Sequence, residues 1–211
     1  MKSYFRLVLW INILFFLVIF ISIALAQILG FSVGSLFSTP FSPVDFQMGI
    51  LTHIFQLLCT VPPIVCAFTF TILNLIASRR KENSFILVSA IITAGFLFNT
   101  IFRVHIFLFR LGIPKLLTVL VYVLLAGIYG FTFKEKIQST PYRLLLIGIG
   151  LLFTGILVDS LHLSNYEVFV LLEGVLKLFS ELNIALYFWA VCYREIMQAF
   201  NARYTEIELI E

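Results

Sequence analysis

The chain has 211 residues, of which 61% are hydrophobic and 12% charged, with a net charge of +3 and a mean hydropathy of +1.07. Soluble domains are about 45–50% apolar and about 25% charged, so a soluble globular fold is excluded. The basic residues are scattered over short connecting segments and do not form a patch, which argues against a nucleic-acid partner.

Apolar runs of about 20 residues recur along the whole length without the period of two that membrane strands show. The expectation is an all-α, polytopic transmembrane bundle forming one integral membrane domain over 1–211. Its six spans fall at roughly 7–29, 50–77, 84–108, 115–133, 143–163 and 167–193.

The first run follows Lys2 and Arg6 and ends near Ala24-Leu25-Ala26. That pattern mimics a secretory signal, but the run is longer than the about 7–15 residues of a signal core and is read as an uncleaved span. The connection after it contains Phe37, Pro40, Phe41, Pro43 and Phe46. Such a segment can lie on the outer interface, where it would cover a site or dock a partner.

The second run contains Pro62-Pro63, which remove backbone donors and bend the helix. It also contains Cys59 and Cys66, seven residues apart. That spacing is about 10 Å along a helix, too far for a disulfide. With Cys192 they read as small apolar filler. In the fifth run Gly148, Gly150 and Gly155 would let a neighbouring helix approach closely.

Orientation follows from Lys and Arg. Lys2 and Arg6 precede the first span, and Arg79, Arg80 and Lys81 fill the second loop. Lys134, Lys136 and Arg143 flank the fourth loop, and Arg194 and Arg203 follow the last span. All of these fall on one side, so both termini are expected to be cytoplasmic in a bacterial inner membrane. Arg110 and Lys115 break the pattern and read as interfacial or functional.

This topology places most of the intramembrane polar residues at one depth, just under the outer face. They are His53 and Gln56 in the second span, Asn99, Arg103 and His105 in the third, and Asp159 and His162 at the end of the fifth. Glu173 completes the set in the outer third of the last span, with Lys177 near the midplane. Glu173, Lys177 and Glu181 are spaced by four and share one helix face, with Glu181 deeper, as a counter-charge for Lys177. A charge at mid-membrane costs about 2.5–3.5 kcal/mol on insertion scales, so such residues face a bundle interior or a watery cavity. A buried salt-bridge network fixing the helix packing would use the same residues.

Several chemistries suit this set. His53, His105, Asp159 and His162 supply enough ligands for zinc, with Glu173 as general base to a metal-bound water. Glu173-x-x-x-Lys177 resembles the acidic-x-x-x-Lys pattern of microbial rhodopsins, but six spans and no matching third-helix carboxylate argue against retinal. Haem ligation by His53 and His105 is limited to one histidine pair, which excludes a two-haem electron path. The intramembrane His and Asp residues loosely resemble the alkaline ceramidase-like superfamily, although the H-x-x-x-H pair of that family is absent.

A closer resemblance is to bacterial polytopic membrane proteins of unassigned function. Asp159, Glu173 and Lys177 fit a signature of an Asp ending the penultimate span and an E-x-x-x-K run in the last, with Gly174 following the Glu and Ser180 at a small position. At an earlier signature Asn99, Thr100, His105 and Ile106 stand where D, D, H and E would be expected. The resemblance implies a membrane family and no reaction.

The leading expectation is an outer-leaflet polar cavity for a small or lipid-like ligand, in a sensor or an accessory or assembly subunit. Expected partners are membrane lipids and a membrane protein or a second copy of the chain. The alternative is a metal-dependent intramembrane lipid hydrolase or transferase, for which Asp159, Glu173 and Lys177 are the candidate catalytic residues.

Overall fold

The computed structural model describes residues 2–37, 49–76, 80–160 and 166–208, and among them every regular element is helical. In chain order these are α1 (Lys2–Ile28), a short 3-10 turn (Val33–Phe37), α2 (Ile50–Ile76), α3 (Arg80–Phe102), α4 (Val104–Arg110), α5 (Lys115–Thr132), α6 (Lys134–Gln138), α7 (Tyr142–Ser160) and α8 (Tyr166–Glu208). Tyr4–Ile28, Ile50–Ile76 and Asn83–Phe102 are each long and apolar enough to cross a membrane, and Val119–Thr132 and Tyr142–Val158 are shorter apolar stretches.

Helix ends follow local chemistry. Gly30 takes φ 75° after α1, and the Phe31 N–H reaches back to the Ala26 carbonyl at 2.9 Å. This is the left-handed glycine stop that satisfies terminal carbonyls. The stretch expected to form one span over 84–108 is instead two helices. Arg103 sits between them at φ 50°, a left-handed conformation that costs an L-residue with a side chain about 1–2 kcal/mol and ends α3. α2 runs unbroken through Pro62-Pro63. The two prolines remove the intrahelical donors for the Leu58 and Cys59 carbonyls. α8 has 43 residues, about 65 Å at 1.5 Å per residue, so it outruns the about 30 Å hydrocarbon core and continues past the expected end of the last span at 193.

The chain divides into two compact units. The first comprises residues up to Leu58 and Leu144–Leu186, the second Cys59–Arg143 and Tyr187 onward.

In the first unit, Ile19 and Ala26 of α1, Leu36 of the 3-10 turn, Leu51 of α2 and Leu178 of α8 form a buried cluster. Asn12 of α1 and Asn183 of α8 exchange side-chain hydrogen bonds at 3.1 and 3.4 Å, and the Tyr4 hydroxyl donates to the Leu186 carbonyl at 3.0 Å. Phe15 meets Phe179 edge-on with ring centroids 5.6 Å apart. α7 lies directly against α8. A methyl group on Gly148 would come within 2.7 Å of Ile184 Cγ1, and the Ser180 hydroxyl donates to the Gly148 carbonyl at 2.8 Å. Gly155 faces α8 as well, whereas Gly150 has open space around it. The spacing of seven between the two contacting glycines is two helical turns, which keeps both on one face.

In the second unit, Phe85 of α3 stacks on Tyr129 of α5 and meets Phe133 edge-on. The Ser89 and Tyr129 hydroxyls hydrogen-bond at 2.7 Å, and those of Thr140 and the fully buried Tyr187 at 3.1 Å. Asn83 donates to Asn74 at 2.6 Å. Lys136 of α6 pairs with Glu195 of α8 at 2.8 Å, and Arg194 donates to the Ser139 carbonyl at 2.6 Å.

Candidate functional site

The last apolar stretch becomes the first half of α8, and its charges lie on one face because their spacing of four is close to one turn. Lys177 donates to Glu173 one turn earlier, and the two form an ion pair. Their side chains keep 30% and 22% of their exposure, so both groups retain free hydrogen-bonding capacity: an ammonium has three donors and a carboxylate about four lone-pair positions. Glu181, one turn further on, is buried with 2% exposure.

The neighbours of the pair are small or flat. A methyl at Gly155 of α7 would lie 3.4 Å from Lys177 Cγ, and the Glu173 carbonyl is 3.6 Å from the same position. Gly174, next to Glu173, lies under the ring of Phe37, where a methyl would come within 2.2 Å of a ring carbon. The 3-10 turn therefore lays an aromatic ring on α8 at Gly174, and the Gly49 N–H to Ser35 carbonyl bond of 2.8 Å ties the start of α2 to that turn. Phe37 is the member of the expected outer-loop segment that falls among the described residues; Pro40, Phe41, Pro43 and Phe46 lie outside them.

The remaining sequence-derived candidates divide between the units. His53 and Gln56 stand in the first turns of α2 and belong with Glu173 and Lys177 to the first unit. His53 is exposed and Gln56 half-buried. Asp159 is in the same unit, one turn of α7 beyond Gly155, but its side chain lies outside the described residues. His162 lies outside them entirely, as does the His105 side chain. Asn99 and Arg103 belong to the second unit, both half-buried, with Arg103 at the break between α3 and α4. Among the described residues no three His, Cys, Asp or Glu side chains come together in the way a metal requires.

Sequence reasoning missed the buried polar interior of the second unit. Thr69, Asn83, Ser89, Thr140 and Glu195 are all buried there, and the Cys66 and Cys192 sulfurs lie 3.7 Å apart. The signal for the hydroxyls and thiols was weak, because they carry little hydropathy penalty in an apolar helix, and 126 residues separate the two cysteines.

The helices and their apolar faces define an all-α membrane protein with a charged pair set into its longest helix. Within that class, the chain belongs to the family described as Domain of unknown function (DUF8692), whose family model matches residues 8–192. No curated protein and no solved structure matches the chain.

Proposed function

We propose that the protein is a six-span membrane protein with both termini cytoplasmic, and that it binds the polar head of a small or lipid-like ligand at Glu173 and Lys177. It would serve as a sensor or an accessory subunit of the bacterial inner membrane. The observation that carries the reading is the Glu173–Lys177 pair, held within an apolar helix yet partly exposed on both members. An i,i+4 pair contributes only about 0.2–0.5 kcal/mol to a helix, whereas each charge costs several-fold more in a bilayer. Helix stability alone therefore gives little reason to keep the two charges. Their opposite signs suit a zwitterionic or anionic head that carries its own donors. His53, Gln56 and Asp159 are the further candidates within the same unit. The basic segments around Lys2, Arg80, Lys136 and Arg194 support the orientation.

The test is mass spectrometry of small molecules and lipids that co-purify with the protein in mild detergent, comparing the native chain with Lys177→Met and Glu173→Gln. A retained species reduced at least tenfold in both variants supports the site. The same species at equal abundance in all three preparations would overturn it. Metal content measured on the same samples reads out the alternative hydrolase.

A further inference from the structure

We propose that Cys66 and Cys192 are a redox modification site: a dithiol that a small uncharged hydroperoxide converts to a disulfide, joining α2 to α8 within the second unit. The Cys192 thiol donates to Cys66 Sγ across 3.7 Å, which is van der Waals contact between sulfurs. A disulfide bond is about 2.05 Å long, so each sulfur has to move by less than about 1 Å. Cys66 is 0% and Cys192 1% exposed, so both thiols are shut off from solvent. The Thr69 hydroxyl, one turn from Cys66 on α2, is equally buried, and among the described residues Thr69 Oγ1 makes no hydrogen bond. An orphaned hydroxyl is costly in such a place. It is the donor that a thiolate or sulfenate at the pair would use.

The chemistry balances with the peroxide as sole oxidant. A thiolate attacks one peroxide oxygen, the O–O bond breaks, hydroxide leaves and a sulfenic acid forms. The second thiol then attacks that sulfur, the S–O bond breaks, and water leaves with the thiol proton. Two thiols lose two electrons in total, and hydrogen peroxide becomes two waters. Burial selects the oxidant: hydrogen peroxide is small and neutral, whereas glutathione disulfide is large and charged. Cys59 is buried two helical turns from Cys66 on the same helix and takes no part.

The test treats membranes carrying the full chain with hydrogen peroxide or with glutathione disulfide, blocks free thiols after denaturation, and counts them by intact mass. Peptide mapping then locates any cross-link. The expected result is a fall from three free thiols to one with peroxide, a Cys66–Cys192 cross-link, full reversal by dithiothreitol, and little change with glutathione disulfide. Cys59→Ser should behave as the native chain does, and Cys66→Ser should give no cross-link. Three thiols surviving peroxide, a cross-link that includes Cys59, or oxidation that stops at sulfinic acid on either residue would each overturn the proposal. Because the Cys59→Ser protein retains the pair, peptide mapping on it decides the matter even if Cys66→Ser does not fold.

Discussion

Two Glu–Lys ion pairs on α8 differ in kind. Glu173 pairs with Lys177 on its own helix, and the two side chains keep 22% and 30% of their exposure. Glu195 pairs with Lys136 of another helix, and its own exposure falls to 6%. The second pair joins α6 to α8 and removes a carboxylate from solvent, so losing Lys136 strands a buried group. The first joins nothing beyond one helical turn, and losing either partner leaves a group that still reaches its surroundings. Structural use explains Glu195. It does not explain Glu173, and this asymmetry directs the search for function to the first half of α8.

The contrast is easiest to break at Lys136. Lys136→Met should leave the Glu195 carboxylate buried and unpaired and destabilise the protein by about 3 kcal/mol, near the lower bound for a broken buried pair because the lysine is itself partly exposed. The thermal midpoint in detergent reads this out. Adding Glu195→Gln should recover much of the loss, since a neutral amide is cheaper to bury; no recovery would mean that the pair is not what matters. Next in size is Gly148→Leu. The new side chain must displace Ile184 and push α7 from α8, at a cost of about 1–3 kcal/mol in the same assay. Gly150→Leu, set in open space on the same helix, should leave the midpoint within about 0.5 kcal/mol of the native value.

Smaller effects sharpen the comparison further. Asn183→Ala should cost about 0.6 kcal/mol and at most about 1.7, the range measured for hydrogen bonds between membrane helices. A null result would assign the α1–α8 contact to the Phe15–Phe179 and Leu178 packing alone. Smallest of all, Lys177→Met should change stability by less than about 0.5 kcal/mol. A loss as large as that of Lys136→Met would make the two pairs equivalent and remove the functional reading of Glu173.

Much of this protein is legible in the linear chain because hydropathy is a local quantity. A run such as Tyr4–Ile28 has to be helical in a bilayer, where an unpaired backbone group costs several kcal/mol, and no contact with the rest of the molecule is needed to say so. The charged stripe was equally readable, because a spacing of four puts both Glu173 and Glu181 within reach of Lys177 on any helix; that Lys177 donates to Glu173 came from the structure. The break at Arg103 was not readable: nothing in Phe102-Arg103-Val104 forces a left-handed residue, and glycine is absent there.

Composition and spacing therefore determined the helical membrane class, the approximate helices and the stripe of charges on the last one. Tertiary structure alone decided that Gly148 and Gly155 face α8 while Gly150 does not, that Lys136 takes Glu195, and that Cys66 meets Cys192. The reason is physical. Helix formation and membrane partition are summed over neighbours in sequence, whereas close approach, ion pairing between helices and sulfur contact depend on how distant segments rotate about their axes. A rotation of one residue position, about 100° on a helix, would change every one of those contacts while leaving the hydropathy profile untouched.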